Sequence, residues 1–353
     1  MKSKALVFLL AVVLAAPLLA QEAPAEPEKS EPTAEELAGR LESITEAFTE
    51  AKGILDALNR LRIQGYVQAQ YSDNQTLSTF AVRRGRINFQ YQLAPTSRIV
   101  IQPDLSSAGG VALRDAYVEL TEPWTAWTNT LTAGQFKVPF GFEVRQSSRD
   151  REMPERTRVI TALFPGERDR GAMLSGAGFG DRFTYRVGVL NGNGIPVAND
   201  ADDEKDIAGR VGYSFGPVDI GASAYSGTSR IANVEQDKER IGFDVQWITP
   251  VPGLGIRAEY IEGEQPNPAG ARDVEGWYVY AVQNIGTRHQ FVLRYDTFDP
   301  NADTRNDAVD TVGGSYIFHW DANLKAMFAY ERPKNEVNDP DDNILTVRLQ
   351  YAF

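Results

Sequence analysis

The sequence has no cysteine and only two histidines among its 353 residues. Without cysteine the chain cannot form a disulfide, and a thiol-linked lipid anchor is excluded as well. The two histidines, His289 and His319, lie far apart, with neither the neighbouring acids of a metal site nor the pattern of a catalytic triad. We therefore expect no metal and no cofactor, and we expect both histidines to be structural.

Long apolar runs are also missing after the first 20 residues, so no later segment could cross a membrane as a helix. Residues 1–20 contain two lysines, an apolar run and a small-residue end, which is the pattern of a cleaved signal peptide. The alternative is an uncleaved anchor, but the run is shorter than the ~20 residues of a spanning helix. An exported chain of this kind is either a soluble protein or a membrane β-barrel.

Residues 21–32 and 33–60 differ in composition from everything that follows. The first segment, QEAPAEPEKSEP, is rich in proline and glutamate and predicts a disordered linker. The second begins with a capping box at 33–36 and predicts a helix with the apolar spacing of a coiled coil. Its seam residues are Leu37, Leu41, Ile44, Phe48, Ala51, Leu55 and Leu58. We expect parallel self-association, with a homotrimer as the expected state; a helix folded back on its own domain is the alternative.

From residue 62 to 353 the apolar period changes from 3.5 to 2. In the last segment, DNILTVRLQYAF, apolar residues alternate with Thr346, Arg348 and Gln350. A soluble β-sandwich alternates too, but aromatic residues at the ends of apolar faces and a terminal Phe353 favour a membrane barrel. Short connections also alternate with long ones, which we place at 191–205, 263–275, 299–307 and 332–343.

The fold class predicted from these features is all-β. It is a 16-stranded antiparallel transmembrane β-barrel with a short N-terminal coiled-coil helix. A barrel of that size encloses an aqueous channel, whereas eight strands would be filled by side chains. The architecture therefore predicts a pore.

The longest connection, about residues 138–166, is rich in arginine although the chain has a net charge of −12. Its apolar residues, among them Val159 and Phe164, have little reason to face solvent. We therefore expect this third loop to fold into the barrel and narrow the channel. Seven arginines and five acids lie between Arg145 and Arg170, so that stretch has a net charge of only +2. The arginines could form an anion filter or salt bridges that hold the loop.

Two groups of basic residues are the candidate site. The pore-constriction candidates are Lys137, Arg145, Arg149, Arg151, Arg156, Arg158, Arg168 and Arg170. The lumen-facing candidates, which lie in the inward phase of other strands, are Arg84, Arg86, Arg98, Arg186, Arg210, Arg294, Lys325 and Arg348. The lumen is therefore expected to be basic inside an acidic protein, with small anions as permeants and no nucleic-acid partner.

Five motifs of the chain are distinctive, namely RRGR (83–86), GQFKVPFGFE (134–143), GERDRG (166–171), NGNG (191–194) and KDIAGR (205–210). Together they resemble those of one family, the phosphate-selective porins O and P. The resemblance extends over about residues 62–353. It implies a trimeric, sixteen-stranded outer-membrane channel with an inward-folded third loop and phosphate as one permeant. Phe353 resembles the terminal signal read by the barrel assembly machinery, which implies a barrel surrounded by outer-membrane lipid.

We therefore expect a passive diffusion channel of the bacterial outer membrane for small hydrophilic solutes, with a preference for anions. One alternative is an envelope-tethering or adhesion protein, in which the N-terminal helix acts and the barrel is its anchor. A second alternative is an outer-membrane enzyme, which the isolated histidines disfavour.

Overall fold

A computed structural model describes residues 33–107, 109–195, 204–231, 234–335 and 343–353. The predicted signal peptide (1–20) and linker (21–32) lie outside the described residues. The chain divides after Asp56 into two compact units. Within the described part of the chain, no helix combines the length and the apolar character needed to cross a membrane.

Helix α1 (Ala34–Asn59) begins at a capping box. The Thr33 backbone N–H donates to the Glu36 carboxylate at 3.1 Å, and the Glu36 N–H donates to the Thr33 hydroxyl at 3.3 Å. Acidic residues in the first turn favour the helix N-terminus through the helix dipole. All seven seam residues lie within α1, and their side chains are exposed in the single chain.

The described residues of the second unit form eighteen strands and one short helix, α2 (Arg158–Leu163). The strands are β1 (Leu61–Asp73), β2 (Ser78–Ala94), β3 (Ser97–Asp104), β4 (Ala112–Thr121), β5 (Thr130–Lys137), β6 (Arg168–Gly178), β7 (Phe183–Leu190), β8 (Asp206–Ser214), β9 (Val218–Ser226), β10 (Thr228–Ile231), β11 (Val234–Asp237), β12 (Arg240–Ile248), β13 (Leu254–Gln265), β14 (Arg272–Ile285), β15 (His289–Asp299), β16 (Val309–His319), β17 (Leu324–Asn335) and β18 (Ile344–Ala352).

Sixteen of these strands close into an antiparallel barrel, so the predicted fold class and strand number are confirmed. Each barrel strand pairs with its neighbours along the chain, and β1 pairs with β18 to complete the ring. The other two strands, β10 and β11, form a separate hairpin between β9 and β12. Sequence alternation did not predict this hairpin, because four-residue strands are too short to show a period.

The ring closes at the last residue of the chain. Gly65 and Phe353 exchange two backbone hydrogen bonds of 3.0 Å. A Cβ atom on residue 65 would lie 2.5 Å from Cζ of the Phe353 ring. Glycine at this position therefore makes room for the terminal aromatic side chain.

Side chains alternate between the two faces of the wall. On β18, Arg348 and Gln350 are buried on the inner face, whereas Leu349 and Tyr351 are about half exposed on the outer face. Aromatic pairs lie near both margins of the outer face, as in the interfacial girdles of membrane barrels. They include Tyr213–Phe215 and Phe318–Trp320 at one margin and Trp277–Tyr295 at the other.

The two ends of the barrel differ in their connections. The turn end carries the segments 95–96, 122–129, 179–182, 215–217, 249–253, 286–288 and 320–323. The described residues of the loop end are 74–77, 105–107, 109–111, 138–167, 191–195, 204–205, 227–231, 234–239, 266–271, 300–308 and 343. The long connection predicted at 263–275 is wrong, because β13 and β14 continue as a paired ladder to Gln265 and Arg272. Polar residues at these strand ends have the composition of a loop.

Candidate functional site

The connection between β5 and β6, residues 138–167, folds into the barrel and is called the inner loop. Its base is closed by the Val138 N–H, which donates to the Glu167 carbonyl at 3.0 Å. Phe140, Val159 and Ile160 of the inner loop are fully buried in one apolar cluster with Ile261 of the wall. Burial of a large apolar side chain contributes roughly 1.5–3 kcal/mol, so this cluster holds the inner loop against the wall.

The inner loop makes polar contacts with the wall strands β1, β2, β9 and β12–β18. At one limit, Gln68 of β1 donates to the Ser148 carbonyl at 3.0 Å. At the other, the Gly141 N–H donates to Ser223 of β9 at 2.9 Å. Contacts to the strands between these limits come from Arg240, Glu259, Tyr280, Asp296, Ser315, Lys325 and Arg348. The inner loop therefore lies across the lumen against most of the wall.

Two buried carboxylates, for which no cationic partner is found in the described part of the chain, dock the inner loop onto the wall. Glu259 of β13 accepts the backbone N–H of Glu143 at 3.1 Å and the hydroxyl of Tyr278 at 2.5 Å. Glu143 in turn accepts the hydroxyls of Thr157 at 2.6 Å and of Tyr280 at 3.2 Å. Hydrogen bonds to a buried carboxylate are costly to lose, so these contacts fix the position of the inner loop.

Glu155 has the largest group of ion pairs. Its carboxylate accepts from Arg83 at 2.9 Å and Arg84 at 2.8 Å on β2, and from Arg348 at 3.0 Å on β18. Arg151 lies 3.8 Å away. Burial disfavours the charged form, but the four arginines outweigh it and hold the pKa of Glu155 well below its ordinary value. Glu155 therefore fastens the inner loop beside the closure of the barrel.

Glu167 forms a second group where the inner loop rejoins the wall. It accepts from Arg156 at 2.8 Å and Arg168 at 2.9 Å, and Arg168 also donates to Asp115 at 2.7 Å. Burial again opposes ionisation, and the arginines hold the pKa of Glu167 below its ordinary value. Arg156 donates further to the Gln146 carbonyl at 2.8 Å, which crosslinks the inner loop internally.

Four predicted lumen-facing arginines have a carboxylate partner on the wall itself. The pairs are Arg86–Asp104 at 2.8 Å, Arg98–Glu119, Arg210–Asp244 at 2.6 Å, and Arg294 with Asp296 at 2.9 Å and with Glu331. Arg149 has only a loose pair with Asp150 at 3.9 Å, and both side chains are exposed. Because paired charges of opposite sign nearly cancel at a distance, these arginines contribute little net field to the lumen.

Five of the predicted basic residues have no carboxylate within ion-pair distance among the described residues. They are Lys137, Arg145, Arg158, Arg186 and Lys325. Lys137 donates to the Arg145 carbonyl and Lys325 to the Arg149 carbonyl, both at 2.9 Å, and Arg158 donates to Thr311 at 2.9 Å. These three cations help to hold the inner loop in place.

Among these five cations, Arg145 and Arg186 are the two that lie within electrostatic reach of Arg210. Arg145 donates to the Gly141 carbonyl at 2.8 Å and has Arg210 and Arg186 within electrostatic reach. Burial, followed by these two positive charges, lowers the pKa of Arg145 to about 10, so its guanidinium is still charged at neutral pH. The structure thus brings together three predicted residues on the inner loop, β7 and β8, with Asp244 as the partner of only one.

Arg170 of β6 contacts a loop-end connection other than the inner loop. Its guanidinium donates to the Ile195 carbonyl at 3.1 Å, in the connection 191–205. The structure therefore joins Arg170 to a different loop-end segment from the one that holds its predicted companions.

Four basic residues near the inner loop escaped sequence reasoning, namely Arg83, Arg114, Arg240 and Arg257. Arg83 is the extra residue of β2 at a register shift between Gln68 and Ala69, and Arg114 is the extra residue of β4 at a shift between Gln102 and Pro103. Such bulges shift the alternation between the inner and outer faces, so a strict two-residue period assigns the residues after the bulge to the wrong face. Arg257 pairs with Glu152 of the inner loop. Because it is two residues from Glu259 on β13, strand alternation could have predicted that it faces the lumen.

Two cavities that contain candidate-site arginines lie toward opposite ends of the barrel. The loop-end cavity has a volume of about 350 Å³ and is lined by residues that include Arg83, Glu155 and Arg158. The turn-end cavity has a volume of about 330 Å³ and includes Arg98 and Arg186. Across the described residues, no cluster of three or more His, Asp or Glu side chains is arranged to hold a metal ion.

The family model named "Phosphate-selective porin O and P" matches residues 59–230, just under half of the chain. The match begins just before β1 and includes the whole inner loop. All five motifs that carry the sequence resemblance lie within it, whereas Phe353 lies beyond it with the last seven barrel strands. No curated protein sequence matches the chain.

Solved structures with a similar fold are porins and outer-membrane proteins. An anion-selective porin from Comamonas acidovorans superposes with a TM-score of 0.65 at 12% identity, covering 83% of this chain and 99% of that one. OmpT of Vibrio cholerae in a trimer form gives 0.62 at 10% identity, with coverage of 83% and 99%. Salmonella typhi OmpF gives 0.61 at 13% identity, with coverage of 83% and 97%. At these identities the likeness shows a shared barrel fold.

Proposed function

We propose that this chain, which matches the phosphate-selective porins O and P over residues 59–230, is itself a porin. It is a passive channel for small hydrophilic solutes with a preference for anions, and phosphate is among its permeants. The family match and the porin-type barrel are those of a bacterial outer-membrane protein. Short turns face the periplasm in such barrels, so we place the loop end outside the cell.

The anion preference rests on one observation, the pair of unneutralised arginines Arg145 and Arg186. With Arg210 they place three guanidinium groups within electrostatic reach of one another, and only Arg210 has a carboxylate partner, Asp244. Cationic rings at the narrow part of a pore favour anions. The anion-selective porin of Comamonas acidovorans has a similar barrel, which is consistent with this preference.

The open passage follows the part of the wall that the inner loop leaves uncovered. The polar anchors of residues 140–158 reach β1, β2, β9, β13–β18 and, at its loop end, β5 through Lys137. The turn-end cavity, in contrast, is lined from β2 to β7. We infer that solutes pass between the inner loop and β3–β7. Arg145 lies on the inner-loop side of that passage and Arg186 on its wall side.

The test is the reversal potential of single channels in a planar bilayer under a KCl gradient. If the channel prefers anions, the reversal potential has the sign of the chloride equilibrium potential. In the Arg145→Gln/Arg186→Gln double variant it should shift toward zero. Arg182→Gln is the matched control, because Arg182 is exposed in a turn-end connection. A cation-selective wild type would overturn the proposal, and an unshifted double variant would overturn the role of the two arginines.

We also propose that the barrel has no catalytic role. His289 lies directly opposite Phe318 in the β15–β16 ladder, so the next residue, His319, belongs to the other face of the sheet. The His289 ring contacts the Tyr316 hydroxyl at 2.9 Å, which supports the structural role expected for it. Two histidines on opposite faces cannot act on one substrate.

The quaternary state that we propose is a homotrimer. The seam of α1 is exposed over its whole length, which suits a parallel coiled coil between three chains. OmpT of Vibrio cholerae, whose barrel is similar, is described in a trimer form. Phe353, at the closure of the barrel, is the residue that we propose the barrel assembly machinery recognises.

A further inference from the structure

The turn-end cavity is lined by side chains that a preference for anions does not require. Six hydroxyl-bearing residues contribute to its wall, namely Thr96, Ser97, Thr121, Thr130, Thr132 and Ser175. Arg186 lies among them. Such a concentration of hydroxyl groups beside one unneutralised guanidinium is a specific chemical surface, and it lies on the inferred passage.

Arg186 is available to bind an anion. Its planar guanidinium can form two parallel hydrogen bonds to phosphate, a geometry that a lysine cannot offer. The acid of the same cavity, Glu119, already accepts from Arg98 through Nε at 2.8 Å and through a second guanidinium nitrogen. The carboxylate is therefore held by another partner and competes weakly for Arg186.

The hydroxyl groups fit a solute that has hydroxyl groups of its own. A hydroxyl both donates and accepts, so a wall of threonine and serine matches a polyol in many orientations. Thr121 and Thr130 are bonded to each other at 2.9 Å, which holds both side chains at the cavity. Apolar lining comes from Met173 and Pro95, and no aromatic ring among the described residues lines the cavity, so base stacking has no partner there.

We propose that the turn-end cavity is a subsite for phosphorylated sugars and polyols, with Arg186 binding the phosphate and the threonine and serine hydroxyls binding the rest of the solute. The proposal rests on the proposed function, because the channel delivers the solute. The volume of about 330 Å³ is near the lower limit of small-molecule pockets, ~300 Å³. Several modest contacts would retain a solute briefly without trapping it.

The experiment measures block of the chloride current through single channels by glucose 6-phosphate, inorganic phosphate and glucose. We expect glucose 6-phosphate to block at a several-fold lower concentration than inorganic phosphate, and glucose to have no effect over the same range. Equal block by the two phosphates would overturn the subsite, because the hydroxyl groups would then contribute nothing.

Variants separate the two halves of the subsite. Thr130→Val, and independently Ser175→Ala, should raise the half-blocking concentration of glucose 6-phosphate several-fold and leave that of inorganic phosphate unchanged. Arg186→Gln should raise both, and Arg182→Gln should raise neither. If neither hydroxyl variant changes block by glucose 6-phosphate, the proposal is overturned.

The outcome also distinguishes the subsite from the channel. A wild type that favours chloride in the KCl gradient but shows no preference for glucose 6-phosphate would overturn the subsite alone. A cation-selective wild type would overturn the proposed function on which the subsite depends.

Discussion

The arginines of the lumen differ in their environments, and the partner of each one determines whether its charge holds the inner loop or is available to a solute. Arg84 and Arg348 share the Glu155 carboxylate, so their charge holds the inner loop and adds little field. Arg145 and Arg186 have no carboxylate partner among the described residues, and we propose that they act on solutes. The sequence alone could not separate these cases, because Glu155 is 71 residues from Arg84 and 193 residues from Arg348, and the sequence does not show which strands bring them together.

Glu155 is the residue whose loss should loosen the inner loop most. In Glu155→Gln, four arginines lose the charge of their shared carboxylate, which we expect to cost roughly 1.5–3 kcal/mol. Single channels should show more open-state current noise and a higher preference for anions. The barrel should also unfold at a lower temperature, measured by electrophoresis of samples heated to a series of temperatures.

The control for that experiment is Glu264→Gln, the same chemical change on β13 outside the inner-loop ion pairs. We expect it to leave current noise and unfolding temperature unchanged. If Glu155→Gln behaves like Glu264→Gln, then Glu155 does not anchor the inner loop.

Gly65 gives a second prediction for a single residue. A Cβ at this position would lie 2.5 Å from the Phe353 ring and 2.7 Å from the Arg86 carbonyl, so Gly65→Ala must displace one of them. We expect a loss of roughly 1–3 kcal/mol, as for other overpacked sites, seen as a lower unfolding temperature in the electrophoresis series. Gly85→Ala is the control, because its nearest neighbour would be 3.9 Å away. Equal unfolding temperatures for the two variants would contradict this packing at the closure.

At the scale of elements, the sequence predicts long strands better than irregular segments. Alternation over β18 is regular, and its inner and outer faces are as expected. The β10–β11 hairpin was missed, and the end of β13 was taken for a loop, because polar composition is shared by loops and by strand ends at the membrane margin. The inner loop was expected from its apolar residues, but its docking on Glu259 depends on contacts more than 100 residues apart.

Helix α1 gives a prediction for a whole element. In the Leu41→Asp/Phe48→Asp double variant of the full chain, charges enter the seam at two levels and should disrupt a coiled coil. We expect wild-type trimers to become monomers by light scattering and in unheated electrophoresis. Ser43→Asp/Thr49→Asp adds the same charge to α1 outside the seam and should stay trimeric. A double seam variant that is still trimeric would show that α1 does not assemble the protein.

At the scale of the whole molecule, the sequence was sufficient to predict the barrel but not to predict the path of a solute through it. Strand number followed from the length and the spacing of turn signals, which are local properties of the chain. The uncovered part of the wall follows from where the inner loop docks, and that depends on the complete set of inward side chains. The basic lumen was expected, but most of its cations proved to be paired with carboxylates.

The most direct test of this account is cysteine accessibility, for which the cysteine-free chain is suited. Ser175 lines the turn-end cavity on the uncovered wall, whereas Ser315 is buried beneath the inner loop and donates to the Glu152 carbonyl at 2.5 Å. A charged methanethiosulfonate reagent should reduce the single-channel current of Ser175→Cys and leave that of Ser315→Cys unchanged. Modification that blocks Ser315→Cys but not Ser175→Cys would contradict a passage between the inner loop and β3–β7.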